Sequence, residues 1–194
     1  AISTLARETM ARIVGSPAAW EEFLRSAARM YKYPFPEQVL IYAQRPDATA
    51  CATLELWNRC KYRRWVKPGA VGIALMDDTG PHLRLKYVFD VSDTRQTPYS
   101  QPFSRWEYRP EYEEAVLETL ENHFGEVEGA GFKDKLHAIV QNIVEDNAAE
   151  YAATLQGVAA DSYLGDNDPP ILVELLKLAA APSVEYLILS RLGL

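Results

Sequence analysis

Apolar positions in this chain recur first at helical spacing, then at strand spacing, then at helical spacing again. Trp20, Phe23, Leu24, Ala27 and Tyr31 share one helix face. Ser16-Pro17 opens that helix, with a hydroxyl to cap it and a proline at its first position, and Pro34 closes it. A second helix is predicted from Pro36 to Ala43, with Val39, Leu40 and Ala43 on its apolar face and Pro46 as its stop. A short third helix, Thr53 to Arg59, is expected to bury Leu54, Leu56 or Trp57. The period then falls to two. Val71, Ile73 and Leu75 alternate with smaller residues, Asp77-Asp78-Thr79-Gly80 reads as a turn, and Leu83, Leu85, Tyr87 and Phe89 alternate with Arg84, Lys86 and Val88. This predicts a β-hairpin with one buried face and one mostly polar face. Tyr62 to Val66 is expected to add a third strand, linked to the hairpin by Lys67-Pro68-Gly69.

From Val91 to Pro110 the chain is rich in Ser, Thr, Gln and Pro and reads as an extended connection. Helical spacing then returns in Tyr112, Val116, Leu117, Leu120 and Phe124, with Gly125 as a C-terminal stop. A long helix follows, with Phe132, Leu136, Ile139, Val140, Ile143 and Val144 inward. After a break at Asp166 to Pro170 come Ile171 to Ala181 and, beyond Pro182, Ser183 to Leu192. The expected fold class is α+β. Residues 1–105 form helices packed on a small antiparallel sheet, and residues 106–194 form an acidic helical region.

Composition narrows this. The 194 residues are 48% hydrophobic, enough for one sizeable core or two small ones. No run of about 18 apolar residues occurs, so no membrane span is expected. Net charge is −7, which alone disfavours a polyanionic partner. Its distribution reverses that. Residues 1–110 carry 16 Lys+Arg against 11 Asp+Glu, a net of +5, and residues 111–194 carry 4 against 16, a net of −12. Such asymmetry suggests an anion-binding half and an acidic half. The plainer account of the second is a helical region that keeps the protein dissolved. Cys51 and Cys60, the only cysteines, fit no Cys-x-x-Cys motif; they point to a reducing cytosol and to two small buried hydrophobes. The chain starts without Met and stops within an apolar helical pattern, and it reads as a fragment of a larger multidomain protein.

Enzymatic motifs are missing. There is no Gly-x-Ser-x-Gly elbow, no phosphate-binding glycine loop and no His-Glu-x-x-His. His82, His123 and His137 are far apart, and the Gln141 that shares a helix face with His137 is a poor zinc ligand. The carboxylates at Glu111-Glu113-Glu114 and Glu145-Asp146-Glu150 neighbour one another on helix faces. A catalytic pair needs two environments that separate its pKa values. No cofactor, metal or catalytic residue is expected.

The positive signal is a basic-aromatic run. Between Trp57 and Lys67 lie Arg59, Lys61, Arg63, Arg64 and Lys67 with Trp57, Tyr62 and Trp65, and no acidic residue. On a strand, Arg63 and Trp65 face one way and Tyr62 and Arg64 the other. One such face can track a phosphate backbone and stack a base, and Arg84 and Lys86 on the hairpin's polar face would extend it. The competing reading puts Trp57 and Trp65 in the core with arginine stems over their edges.

These pieces, in order, resemble the N-terminal domain of ArdC-type antirestriction proteins, in the divergent form found in large polyvalent proteins of conjugative elements. The resemblance runs over residues 16 to 98: an aromatic-rich helix, Pro36-Glu37-Gln38-Val39-Leu40-Ile41-Tyr42-Ala43-Gln44-Arg45-Pro46-Asp47-Ala48-Thr49, Trp57, Arg63-Arg64-Trp65-Val66-Lys67-Pro68-Gly69, Gly72-Ile73-Ala74-Leu75 and Val88-Phe89-Asp90-Val91-Ser92-Asp93-Thr94. It implies a cytoplasmic, sequence-non-specific single-stranded DNA-binding domain of a mobile element, and it moves Trp57 and Tyr42 toward the core. In that family a zinc metallopeptidase-like domain follows. Here Leu178 to Gly193 is loosely similar to a late helix of that domain, and its metal motif is missing.

The expected function is therefore single-stranded DNA binding. Arg63, Arg64 and Lys67 would contact phosphates, with Arg59, Lys61, Arg84 and Lys86 around them. Trp65, Tyr33 or Tyr42 would offer stacking surface, and Gln44 and Arg45 polar contacts. The alternative is an interaction module whose acidic helices mimic DNA or dock a restriction-system or conjugation protein. A third reading is a zinc-peptidase-like hydrolase, active or inactive. No membrane partner is expected.

Overall fold

The computed structural model describes residues 1–59, 63–77, 82, 84–103, 105–159, 162 and 164–194. The chain forms two compact units, Ala1–Trp106 and Glu107–Leu194, and its fold is α+β. Cys60, Lys61, Tyr62, Asp78, Thr79, Gly80 and Leu83, on which several of the expectations above fall, lie outside the described residues.

The first unit opens with three helices, α1 (Ile2–Ile13), α2 (Pro17–Arg29) and α3 (Phe35–Gln44). Ser16 Oγ accepts from the Ala19 N–H at 3.2 Å, the expected cap of α2. Phe23 of α2 meets Phe35 and Tyr42 edge-on, each at 5.6 Å between ring centres, which locks α2 to α3. Strand β1 (Cys51–Thr53) leads into α4 (Leu54–Arg59), then β2 (Trp65–Val66), β3 (Ile73–Asp77), β4 (Arg84–Asp90), a 3-10 turn at Val91–Asp93 and β5 (Thr94–Arg95).

The strands make two sheets: an antiparallel β1-β4-β3 sheet and a separate β2-β5 ribbon. In the larger sheet Ile73 pairs with Val88 and Ala52 with Phe89. Ile73, Leu75 and Val88 pack with Met30, Leu40, Ile41 and Ala48 in one apolar cluster, so the helices cover that face. Burying a side chain such as Leu40 or Leu75 contributes about 1.5–3 kcal/mol.

Two expectations about the strands are corrected. First, the strand β4 turns the other way. Leu85 and Tyr87 are 50% and 51% exposed, while Val88 and Asp90 on the opposite face are buried. Lys86 shares the helix-covered face and pairs with Glu37 of α3. Both alternating sets of β4 carry apolar groups, so the period defines a strand without defining its inner side; α3 decides that. Second, β2 is no third strand of the hairpin sheet. That place belongs to β1, and β2 pairs with β5 instead.

The second unit is helical: a 3-10 turn at Pro110–Tyr112, α5 (Glu113–Phe124), α6 (Phe132–Val158) and α7 (Pro169–Leu192). Gly125, at φ 92°, closes α5 as expected. Leu136, Ile139, Val140 and Val144 of α6 are buried, and Val140 and Val144 pack on Ala181, with Ala180, Val184 and Ile188 beside it. Lys177 reaches Glu145 at 2.6 Å and His137 reaches Glu185 at 2.9 Å, tying α7 to α6. The expected stop at Pro182 is corrected: α7 runs through it. The ring lies on the exposed side while its neighbour Ala181 is buried against α6. No helix among the described residues is long and apolar enough to cross a membrane.

Candidate nucleic-acid interface

The β2-β5 ribbon pairs Trp65 with Arg95 and Val66 with Thr94. Two residues per strand cannot hold themselves together in water. Side chains do it instead. The Arg45 guanidinium donates from Nη1 to both Asp93 carboxylate oxygens, at 2.9 and 2.7 Å, and from Nη2 to Ser92 Oγ at 2.9 Å. Arg64 Nε donates to Thr94 Oγ1 at 2.6 Å. Lys67 donates from Nζ to the Ser92 carbonyl and from its N–H to the Asp93 carbonyl, both at 2.8 Å. Three cations expected at the site thus converge on one segment, Ser92–Thr94.

Asp90 anchors the base of this segment. Its buried carboxylate accepts from the Thr49 and Ala50 N–H groups at 2.6 and 2.8 Å. It also accepts from the Ser92 N–H and hydroxyl at 2.9 and 2.6 Å. Burial works against its charge, and the hydrogen bonds from Ser92, Ala50 and Thr49 overcome it, holding the carboxyl below its ordinary value.

On this frame Trp65 is 53% exposed, and the Arg95 guanidinium lies 5.4 Å from its ring centre. Arg63 is exposed and sits at φ 44°, the left-handed region that L-residues avoid. Its carbonyl is clasped by the Thr97 and Ser100 hydroxyls at 3.2 and 2.7 Å, which holds the turn. Arg59 is exposed at the end of α4. Among the described residues, neither Arg59 nor Arg63 forms a side-chain ion pair. What the arrangement offers is a half-bare indole with the Arg95 guanidinium over it.

Other residues expected at the site are engaged in the fold. Half-buried Tyr33 donates its hydroxyl to the Cys51 carbonyl at 2.7 Å, and burial, then Cys51 and Glu37, push its pKa up. Gln44 brackets the β3 backbone like a peptide group: its amide donates to the Ala74 carbonyl and its oxygen accepts from the Ala74 N–H, both at 2.9 Å. Tyr42 is buried, and Trp57, 3% exposed, donates its indole N–H to the Phe89 carbonyl at 2.9 Å. Lys86 is paired with Glu37, whereas Arg84 is exposed and stands opposite Asp77 in the sheet register. Cys51 is half-buried, its thiol pushed up to about 12 by burial first and Asp90 second, and so it stays protonated. No sequence pattern marks Arg95. It lies in a stretch without periodicity and meets Trp65 only because β2 pairs with β5.

The chain matches no known protein family, no curated protein and no solved structure.

Proposed function

We propose that residues 1–106 form a sequence-non-specific single-stranded DNA-binding module of a mobile-element protein of the antirestriction type. One observation carries the reading: the half-exposed Trp65 ring, with Arg95 over it, on a ribbon held by polar bonds. A solvated surface gains nothing from a bare indole, whereas a base stacked on it contributes about 1–3 kcal/mol. Arg59, Arg63 and Arg95 supply phosphate donors. Arg64 and Lys67 bond neutral acceptors, so no carboxylate in those bonds offsets them. Arg45 is paired with Asp93 and acts by positioning. A stacking platform with backbone contacts reads no base edge, so it tolerates any sequence.

The conformation of Arg63 supports the same reading. A non-glycine residue in the left-handed region costs about 1 kcal/mol or more. Glycine serves such a turn at lower cost, so the arginine contributes something other than stability. The test is fluorescence anisotropy of a labelled oligothymidylate and of a duplex, at low and moderate salt. Tighter binding of the single strand is expected. With about three phosphate contacts, log K should fall against log salt with a slope near −2, at about −0.7 per contact. Folded protein that binds neither probe at low salt defeats the proposal.

A further inference from the structure

A second feature of the first unit borders the β2-β5 ribbon's clasp, since its Asp47 lies 3.7 Å from the Arg45 that holds Asp93. A groove of about 530 Å³ opens among α1, α2 and the end of α3, lined by Arg12, Arg25 and Arg29 with Glu22, Asp47 and Tyr42. That volume is in the range of about 300–1,000 Å³ used by small-molecule sites. Two of its guanidinium groups are fixed by something other than a carboxylate. Arg29 donates from Nε to the Ala48 carbonyl at 2.8 Å and from Nη2 to the Pro46 carbonyl at 2.7 Å, and the rest of its fork remains for a ligand. Arg12 lies over the Tyr42 ring, 5.8 Å from its centre. Arg25 is paired with Glu21 at 2.8 Å on the rim.

The electrostatics ask for an anion. Burial first, and then the charge of Arg105, push the Arg29 pKa down, against the pull of Asp47. An anion among these arginines relieves that strain. Glu22 and Asp47 in the same lining disfavour a bare dianion, and they accept hydrogen bonds from a ligand's own N–H and O–H groups. The ligand is therefore one with an anionic end and a donor-rich end.

We propose that this groove binds a nucleoside monophosphate, with its phosphate on Arg12 and Arg29 and the donors of its sugar or base on Glu22 and Asp47. A free mononucleotide and the 5′-phosphorylated end of a strand share this chemistry. Its lining shares no residue with the Trp65 surface, and the proposal stands whether or not that surface binds DNA.

The test is calorimetric titration of the intact chain with adenosine 5′-monophosphate, adenosine and inorganic phosphate. The monophosphate is expected to bind most tightly and adenosine not measurably. The double variant Arg12→Ala/Arg25→Ala removes only exposed side chains, and circular dichroism checks its fold. It should weaken the monophosphate about tenfold or more, the loss of a charge-assisted contact. Arg63→Ala should leave this affinity unchanged, which separates failure here from failure of the DNA-binding reading. Competition by a 5′-phosphorylated tetrathymidylate but not by its unphosphorylated twin assigns the site to strand ends; competition by neither assigns it to the free nucleotide. Equal binding of adenosine and its monophosphate, or an unchanged affinity in the folded double variant, overturns the proposal.

Discussion

The two sheets of the first unit are held by different forces. The β1-β4-β3 sheet rests on apolar burial: Ile73, Leu75 and Val88 are closed in by Met30, Leu40 and Ile41. The β2-β5 ribbon has two residues per strand and rests on directed polar bonds from Arg45, Arg64 and Lys67 to Ser92, Asp93 and Thr94. Burial consumes the side chains it uses. Polar bonding to the edge of a segment leaves the ribbon's outer residues free, and those are Trp65 and Arg95. The contrast separates a scaffold from a surface, and substitutions should separate them too.

The largest effect is expected in the scaffold. Leu40→Ala should cost about 2–5 kcal/mol in urea unfolding, through lost burial and a cavity. Next is Asp90, which joins the two sheets. Asp90→Asn should cost about 2–3 kcal/mol, because five donors lose an ionised acceptor. Its pH dependence follows from the lowered carboxyl. Stability from Asp90 is fully present above the ordinary carboxylate range, and it is lost as pH falls through the depressed folded value. The unfolding midpoint should therefore drop as pH falls below about 5 and through the depressed folded value, and drop less in Asp90→Asn. Asp93→Ala should cost about 1–2 kcal/mol. Its signature is local: faster amide exchange at Lys67 and Arg95 with the β3-β4 ladder unchanged. The smallest stability effect belongs to Arg63→Gly, which removes a cation from a left-handed turn. Stability should stay level or rise by up to about 1 kcal/mol. Oligonucleotide affinity should fall. A large loss of stability in that variant would make Arg63 part of the scaffold and erase the contrast.

The helices were legible where the sequence carries both ends. Ser16-Pro17 opens α2 and Gly125 closes α5, but α2 ends at Arg29, short of the expected stop at Pro34, and leaves Tyr31 exposed beyond the helix. The N-terminal helix α1 has no such punctuation and went unmarked; its pattern is visible only beside the α3 and β3 residues it covers. The strands show where pattern stops being informative. Leu85, Tyr87 and Phe89 alternate as cleanly as Lys86, Val88 and Asp90, and only the Glu37–Lys86 pair and the Leu40 packing select the inner set. Pro182 reads as a stop, but a proline on the outer side of a packed helix is tolerated. The basic-aromatic run was legible as composition, whereas its division of labour was not. Arg45, Arg64 and Lys67 look like Arg59 and Arg63 in sequence, and they differ because Ser92–Thr94 folds back to meet them. Arg95 became visible through the same long-range pairing.

On the proposed reading, Trp65 serves a ligand and not the fold. Its most direct test compares the chain with Trp65→Ala in urea unfolding and in anisotropy titration with a labelled oligothymidylate at low salt. The account predicts a stability change under about 1 kcal/mol with affinity reduced about tenfold, the loss of one stacked base. A variant that is strongly destabilised, or one that binds as tightly as its parent, would contradict it.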